Sequence, residues 1–388
     1  MRNRSLGLTL FGSLAILVSA CGGGATPSPS ASTAPSASAP ASVAPSESTA
    51  PSAAALKIGV VTDVGTLDDK NFNQFSYEGA KKAADDLGGS IQSIVPKAAA
   101  DYGPSIQSFI DQDYDVIVSV GFALGTDTTI AAKANPDVFF VGVDQGVCVD
   151  AAGAPDATFA CAGDAATLLP NYQGLVYKEQ EPGYLAGIVA ASISEKNSVG
   201  AIGGINLVPA VVKYINGFAA GAKSIKADIK VSTAYVSTGD FGVAFNDPSA
   251  GKAFAQQFIT ANGPDVLFQV AGKTGNGVLA AACEANIHAI GVDVDQHLST
   301  PEAAACIVTS AEKKLAITVE QAVKRVADGT AKGGTIVNDA KNEGIGLAPF
   351  YDMASLITAD TQAKIDAALA GFKDGSLEAC DPATCGNP

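Results

Sequence analysis

Basic residues are scarce in this sequence. Its 388 residues include 24 Lys and Arg against 39 Asp and Glu, which gives a formal net charge of −15. Loss of residues 1–20, which hold two arginines and no acid, would lower that charge to −17. An acidic surface excludes partners that are bound through their negative charge, so we expect neither nucleic acid nor an anionic lipid surface as a partner.

Groups that commonly carry catalysis or bind metals are also rare. There are two histidines, His288 and His297, and there is no tryptophan, no Cys-x-x-Cys and no Gly-x-Ser-x-Gly. The stretch GKTGNG (272–277) is not a phosphate-binding loop, because such a loop needs a glycine where Leu267 stands. We therefore expect a protein that is not an enzyme, with neither a cofactor nor a metal site.

Long apolar runs are absent after residue 21. Before it, two arginines precede an apolar segment from Leu6 to Val18 that is too short for an ordinary membrane span but typical of a signal peptide. The segment continues into LVSAC, which ends at Cys21 and resembles the bacterial lipobox, in which the cysteine is lipidated and becomes the new N-terminus. We predict a lipoprotein signal peptide over 1–21. The alternative is an ordinary cleaved signal with a cysteine there by chance.

The next stretch is of low complexity. Residues 25–55 contain only Ala, Ser, Thr and Pro apart from Val43 and Glu47. Such a composition cannot bury enough apolar surface to offset the entropy lost on ordering. We predict a disordered tether over 22–55 with a span of roughly 30 Å. The body of the chain, 56–388, would then stand outside the cytoplasm in the cell envelope, attached to the membrane by its lipid alone.

Six cysteines follow Cys21, and an even number of cysteines in an exported protein indicates disulfide bonds. The simplest arrangement joins neighbours along the chain, although many other pairings are open. A cysteine-rich metal site is the alternative, and the absence of Cys-x-x-Cys spacing disfavours it. The candidate pairs are Cys148 with Cys161, Cys283 with Cys306, and Cys380 with Cys385.

The body alternates between two kinds of segment. Short runs rich in Val, such as LKIGVV (56–61), DVIVSVG (115–121) and DVLFQVAG (265–272), are each followed by a segment with helical character. Continuous apolar strands that alternate with helices predict an α/β fold with parallel sheets covered on both faces. The body has 333 residues, which suggests two lobes.

Polar residues and glycines directly follow several of the predicted strands. Because ligands bind outside the carboxyl ends of parallel strands, we expect these positions to form one cleft if the lobes face each other. An ionised Asp accepts two hydrogen bonds from adjacent sugar hydroxyls, a lysine such as Lys313 offsets the repulsion between acids, and an aromatic ring such as Phe72 stacks on a flat base. For any single Asp the alternative is a helix cap or a turn. The strand-end positions are Asp63, Gly121, Phe122, Asp144, Gly272, Lys273, Thr274, Asp293 and Asp295.

Several stretches of the body resemble one known family. The most specific is DVGTLDDKNFNQFSYEGAKKAADDLG (63–88), which resembles the first signature of the basic membrane protein family, the PnrA-like nucleoside-binding lipoproteins of ABC importers. Other stretches match in the same order, among them EQEPGYLAGIVAA (179–191), VAGKTGNGVLAAACE (270–284) and VTSAEKK (308–314). The resemblance covers most of the body.

The resemblance implies a type I periplasmic-binding fold, in which two Rossmann-like lobes are joined by three crossovers and hold the ligand in a hinge cleft. For this chain we predict one lobe from 56–175 and about 296–330, and the other from 176–295 and about 331–388. The family also implies a nucleoside as ligand, in particular a purine nucleoside, and the permease and ATPase subunits of an importer as partners. We expect the protein itself to be a monomer.

Binding positions of the family carry over one by one. In its purine-nucleoside binders, acids and a lysine hold the ribose while aromatic rings sandwich the base. By contrast, we expect Asp69 and Lys70 to cap and brace the turn before the first helix. The implied ligand-binding positions are Asp63, Phe72, Asn73, Asp144, Tyr214 (where the family has Phe), Gly272, Asp293 and Lys313, and the strand-end residue Phe122 joins them.

Three other functions remain open from the sequence. The protein could bind riboflavin or another ligand, it could be a surface or sensor lipoprotein that keeps the fold without transport, or it could be an exported nucleoside hydrolase. The role of two acids near the predicted crossover is open as well. Glu179 and Glu181, before GYLAG, either reach the cleft or cap a helix.

Overall fold

Strands recur at short intervals through the chain. A computed structural model describes residues 55–381 and 383–386. The predicted signal peptide, Cys21 and the predicted tether up to residue 54 lie outside the described residues. The strands of the described part are β1 (Lys57–Thr62), β2 (Ser90–Ile94), β3 (Val116–Val120), β4 (Phe139–Val143), β5 (Tyr172–Tyr177), β6 (Ser198–Gly203), β7 (Lys230–Tyr235), β8 (Val266–Val270), β9 (His288–Asp293), β10 (Ile307–Lys313), β11 (Gly334–Asn338) and β12 (Ile345–Leu347).

Helices follow most of these strands, as the alternating pattern predicts. Helix α1, for example, is capped at its C-terminal end by Gly88, whose φ of 64° lies in the left-handed region that glycine adopts without strain. The helices are α1 (Phe72–Leu87), α2 (Tyr102–Ile110), α3 (Gly125–Ala134), α4 (Ala165–Leu168), α5 (Gln180–Ile193), α6 (Pro209–Ile225), α7 (Phe241–Asn246), α8 (Pro248–Asn262), α9 (Gly272–Glu284), α10 (Gln296–Ser299), α11 (Leu315–Ala327) and α12 (Ala359–Asp374).

Two six-stranded sheets organise the fold, one in each lobe. The first has the strand order β11-β5-β4-β3-β1-β2, and all of its pairs are parallel. The second has the order β12-β10-β9-β8-β6-β7, in which only β12 is antiparallel to its neighbour. Every residue of β3 and β8 is buried, as expected for strands covered on both faces. The predicted parallel α/β architecture is confirmed.

Two segments lie in a different sheet from the one in which the sequence analysis placed them. Residues 307–313 form β10 beside β9 in the second sheet, and residues 334–338 form β11 beside β5 in the first. The predicted lobe boundaries were wrong there, because pairing between strands that are distant in sequence leaves no mark on their local pattern. The chain passes between the sheets after Tyr177, Lys313 and Asn338, which makes three crossovers.

Helices α5 and α6 approach closely because glycines line their contact. A Cβ atom at Gly187 would lie 2.1 Å from the carbonyl oxygen of Phe218, and one at Gly221 would lie 2.0 Å from that of Tyr184. Only glycine allows the two backbones to come this near. The glycines of GYLAG (183–187), which lies in one of the stretches that resemble the family, therefore serve packing. This contact orients α6, which carries Tyr214.

The cores of both lobes lie between the sheets and their helices. Phe218 and Phe268 stack in the second lobe with ring centroids 5.3 Å apart, and both are fully buried. Each such buried side chain contributes roughly 1.5–3 kcal/mol through the hydrophobic effect. The described residues pack into one compact unit.

The six cysteines after Cys21 are joined as neighbours along the chain. The bonds connect Cys148 with Cys161, Cys283 with Cys306, and Cys380 with Cys385, which is the arrangement favoured from the sequence. The first bond closes the segment that follows β4 and Asp144. None of the helices in the described residues has the length and apolar content that crossing a membrane would require.

Candidate functional site

A cavity that is partly open to solvent lies where the carboxyl ends of the two sheets face each other. Both lobes contribute to its wall. The first lobe supplies Asp63, Val64, Asp69, Phe72, Asn73, Gly121, Phe122 and Asp144, and the second supplies Val208, Ala210, Val211, Tyr214, Phe241, Phe245, Val270, Gly272, Asp293 and Lys313.

All nine predicted ligand-binding residues line this one cavity. The reason is topological, since most of them stand at or just after the carboxyl ends of strands. Asp63 follows β1, Asp144 follows β4, and Asp293 and Lys313 end β9 and β10. Parallel strands bring such ends to a common edge, and the crossovers turn the two edges toward each other.

Lys313 carries the positive charge at the centre of this wall and is 3% exposed. Its Nζ atom lies 2.6 Å from Asp144 Oδ2 of the first lobe and 3.8 Å from Asp293 Oδ1 of the second. A third carboxylate, that of Glu179, lies 3.5 Å away. Burial lowers the pKa of Lys313, but the three carboxylates outweigh burial and hold it above its usual range. The lysine is therefore charged at neutral pH.

Burial acts in the opposite direction on the acids of the cavity. It raises the pKa of Asp144 to about 6, although Lys313 lowers it, and it also raises the pKa of Asp293. Asp144 Oδ1 is buried and has no hydrogen-bond partner among the described residues. A ligand hydroxyl could donate to this oxygen, which would replace a contact with water that burial has removed.

Asp63 is held in a tight pocket of backbone. Its carboxylate accepts hydrogen bonds from the backbone N–H groups of Val64 at 2.5 Å and Ala123 at 3.2 Å. A Cβ atom at Gly121, whose φ is 114°, would lie 2.0 Å from Asp63 Oδ2, so glycine is needed at that position. Burial raises the pKa of Asp63 to about 7 against the effect of these hydrogen bonds, and nearby Asp144 raises it further.

Aromatic side chains from both lobes flank the charged cluster. Phe72 begins α1, and the ammonium group of Lys313 lies 5.4 Å from its ring centroid, within cation–π range. Tyr214 is buried, and its hydroxyl lies 3.3 Å from Asp293 Oδ1 and 3.2 Å from the carbonyl oxygen of Ala311. The polar end that distinguishes Tyr214 from phenylalanine thus has partners within the protein.

Two aromatic residues of the wall were missed from the sequence. Phe241 and Phe245 lie one turn apart on the short helix α7 and both line the cavity. The sequence did contain a signal for them. Asp240 is a capping residue that accepts from the N–H of Val243, and the two phenylalanines that follow it are four residues apart, which predicts a helix with an aromatic face. They add aromatic surface from the second lobe to that of Phe72 and Phe122 from the first.

Asn73 presents an acceptor to the cavity. Its side-chain amide donates to the carbonyl oxygen of Val64 at 2.8 Å, while its Oδ1 atom is buried without a hydrogen-bond partner among the described residues. The hydrogen bond to Val64 therefore fixes the orientation of the Asn73 side chain and leaves its Oδ1 atom available to a ligand. A ligand that carries N–H or O–H groups near this position would satisfy it.

The loop before α1 has two roles. The Asp69 carboxylate accepts from the backbone N–H groups of Asn71, Asn73 and Gln74, which caps the start of the helix as predicted. Lys70 pairs with Glu302 at 2.7 Å. Asp69 also lines the cavity, in addition to its predicted role in the turn.

The same loop bonds to the second lobe, and we call these bonds the loop clasp. Lys273 at the start of α9 donates to the Thr66 hydroxyl at 2.9 Å and lies 3.0 Å from Asp68 Oδ1. The other members are the pair Lys70–Glu302, the bond from Ser299 Oγ to the carbonyl oxygen of Lys70 and the bond from Asn276 Nδ2 to the carbonyl oxygen of Asp69.

The two acids left open by the sequence have different surroundings. Glu179 reaches Lys313 behind the cavity wall, whereas Glu181 accepts from the backbone N–H of Ala340 at 2.9 Å and pairs with Lys178. The histidines lie elsewhere: His288 begins β9, and the ring of His297 stacks on Tyr351 with centroids 4.1 Å apart.

Comparison with known proteins agrees with this geometry. The sequence matches the Bmp family model, described as ABC transporter substrate-binding protein PnrA-like, over residues 56–369. The chain belongs to this family. The resemblance predicted from the sequence is confirmed, and the family is one of solute-binding proteins of ABC transporters.

Named relatives in this family are moderately similar. The ABC transporter nucleoside-binding protein BmpA of Lactococcus lactis subsp. cremoris is 30% identical over 80% of this chain and 86% of its own length. An uncharacterized lipoprotein of Pyrococcus horikoshii is 28% identical over 75% of this chain and 68% of its own length.

Solved structures agree with the fold. A solute-binding protein of an ABC transporter system from Aeropyrum pernix superposes with a TM-score of 0.71 at 22% identity, over 83% of this chain and 92% of that one. The predicted type I periplasmic-binding fold with two α/β lobes is confirmed.

Proposed function

We propose that this protein binds a purine nucleoside in the cleft between its lobes and delivers it to the permease of an ABC importer. The observation that carries the proposal is the position of the Lys313 ammonium group, between Asp144 of one lobe and Asp293 of the other, beside the ring of Phe72. Adjacent ribose hydroxyls donate to carboxylates and accept from an ammonium group. The flat base has aromatic rings on which to stack.

Further features support the same ligand class. The buried acceptors on Asp144 and Asn73 lack partners within the described residues, and a nucleoside has hydroxyl and N–H donors to satisfy both. The relative from Lactococcus lactis is named as a nucleoside-binding protein. Because carboxylates and aromatic residues come from both lobes, a nucleoside would make its full set of contacts only with the lobes closed.

A thermal-shift screen of the chain from Gly22 onward tests the ligand. We expect adenosine, guanosine or inosine to raise the unfolding midpoint, since a ligand at a hundred times its Kd adds about 2.7 kcal/mol of stability. Free purine bases, ribose and riboflavin serve as comparisons. The variant Asp293→Asn should lose most of the nucleoside shift. A shift with riboflavin and none with any nucleoside would overturn the proposal.

We also propose that Cys21 carries the lipid that holds the protein at the outer side of the cell envelope. The LVSAC stretch supports this, as does the name of the lipoprotein from Pyrococcus horikoshii. Expressed with its own signal in a bacterial host, the wild-type chain should incorporate labelled palmitate and sediment with membranes. Cys21→Ser should do neither, and equal labelling of both chains would contradict the anchor.

A further inference from the structure

Glu179 is a buried acid close to the cleft but outside its wall. It lies at the first crossover, between the end of β5 at Tyr177 and the start of α5 at Gln180. Only 3% of it is exposed, and it is not among the described residues that line the cavity. Its Oε1 atom lies 3.5 Å from the Nζ atom of Lys313. Direct contact with a ligand therefore cannot explain why an acidic residue occupies this position, whereas contact with Lys313 can.

A contribution to the stability of the crossover does not explain the presence of Glu179 either. Its Oε2 atom lies 3.5 Å from Nζ of Lys213, whose side chain is 32% exposed, and this oxygen has no hydrogen-bond partner among the described residues. Burying a carboxylate costs several kcal/mol unless it is well paired and hydrogen-bonded. A group that served only to hold the crossover together would be better apolar or fully bonded.

Lys313 has unequal partners without Glu179. Its ammonium group lies 2.6 Å from Asp144 but 3.8 Å from Asp293, so the attraction toward Asp144 is the stronger of the two. The Glu179 carboxylate, 3.5 Å from the same ammonium group, attracts it in a further direction and so limits its rotation about the contact with Asp144. This matters because the ammonium group has three N–H donors, and its orientation decides which of them points toward a ligand.

We propose that Glu179 is a positioning residue that holds the Lys313 ammonium group between Asp144 and Asp293, where it can bond to ligand hydroxyls. This inference rests on the proposed function, in which Lys313 binds the ribose. It gives the first crossover a direct connection to the ligand, since Glu179 lies at that crossover and Lys313 ends the strand before the second crossover.

Glu181 provides a matched control. It is two residues away in the same helix start, is 4% exposed, and carries a buried carboxylate of the same kind. Its partners are Lys178, 3.3 Å away, and the backbone N–H of Ala340, 2.9 Å away, so its contacts lie within the hinge. Loss of its charge should affect stability without reaching Lys313.

The test measures nucleoside affinity by isothermal titration calorimetry with the chain from Gly22 onward. The ligands are the purine nucleoside that gives the largest thermal shift, together with its 2′-deoxy and 3′-deoxy analogues. The proteins are wild type, Glu179→Gln, Glu179→Asp and Glu181→Gln. A positioning role predicts that the effect of Glu179→Gln depends on the hydroxyl that Lys313 contacts, whereas a structural role affects all three ligands alike.

We expect Glu179→Gln to raise the Kd of the ribonucleoside about tenfold, and that of at least one deoxy analogue by less than about threefold. Glu179→Asp should lie between wild type and Glu179→Gln. Glu181→Gln should keep every Kd within about twofold, whatever its unfolding midpoint. Equal losses for all three ligands, or no loss in Glu179→Gln, would overturn the proposal.

A second measurement needs no ligand. In a double-mutant cycle of Glu179→Gln and Lys313→Met, the two changes in unfolding free energy should be clearly non-additive, because each removes the partner of the other. Additive changes would overturn the contact itself. If wild type binds no nucleoside while the cycle shows coupling, the proposed ligand fails and the Glu179–Lys313 contact survives.

Discussion

Asp144 and Asp293 occupy equivalent positions in the two lobes. Asp144 follows β4 and Asp293 ends β9, and each of these strands is third from the corresponding edge of its sheet. Both residues have positive φ, 57° and 64°, a region that side chains other than glycine seldom adopt. Strained backbone of this kind concentrates at functional sites. The ammonium group of Lys313 is the cation that the two acids share.

Lys313→Met should destabilise the protein even without ligand. The substitution leaves carboxylates buried without their cation, and breaking a buried pair in this way costs about 3–5 kcal/mol. The loss should be smaller at pH 5 than at pH 8, because protonated acids no longer need the cation. Urea denaturation at both pH values measures it. Lys81→Met is the control, since Lys81 and its partner Asp85 are both exposed, and it should cost much less. Similar costs for both variants would contradict the prediction.

Asp63 should make stability fall as pH rises. Its pKa is about 7 in the folded protein against an ordinary value of 3.8, so between these two values the folded state keeps a proton that the unfolded state has lost. Stability from this group is fully present below pH 4 and declines by at most about 1.4 kcal/mol per pH unit up to pH 7. Asp63→Asn should flatten this part of the curve of unfolding free energy against pH. An unchanged slope would count against the buried position of the carboxylate.

Gly121→Ala should be more costly than other substitutions at positive φ. The new Cβ atom would lie 2.0 Å from Asp63 Oδ2, so Asp63 would have to move out of its backbone pocket. Gly88→Ala is the matched control, because Gly88 also has positive φ but no atom lies within 4 Å of its Cβ position. Backbone strain alone costs about 1–2 kcal/mol, and overpacking adds about 1–3 kcal/mol. Urea midpoints compare the two, and equal losses would show that the clash is relieved easily.

The loop clasp should slow ligand release. Lys273 does not line the cavity, so Lys273→Met leaves the cavity wall intact while it removes the bonds to Thr66 and Asp68 across the lobes. Exposed pairs of this kind contribute about 0.2–1 kcal/mol, which corresponds to a dissociation rate faster by a factor of about 1.4 to 5. Surface plasmon resonance with the bound nucleoside measures the rate. Lys252→Met, which removes a pair with Glu284 inside the second lobe, should leave it unchanged. Equal rates in both variants would contradict a role for the clasp.

The strand ends of the cleft were predictable from the sequence. Asp63 and Asp144 each follow an apolar run, and a parallel α/β fold brings such positions to one edge whatever the details of packing. The cap formed by Asp69 was predictable for a similar reason, because it depends on backbone groups within five residues. Local pattern and fold class together are enough for such features.

Other parts of the site depend on pairs that are distant in sequence. The sheet to which β10 and β11 belong, the aromatic wall from Phe241 and Phe245, and the contact of Glu179 with Lys313 could not be derived from local pattern. Each requires two segments to meet that are separated by many residues, and the periodicity of either segment is compatible with several partners.

The sequence by itself determined the alternating α/β pattern, the family, and the residue types at the strand ends, since these follow from the order of apolar and polar residues along the chain. Only the tertiary structure decided which carboxylates share the Lys313 ammonium group. That outcome depends on distances of a few ångströms between two lobes and a crossover, and at such distances the Coulomb energy in a buried site changes steeply with position.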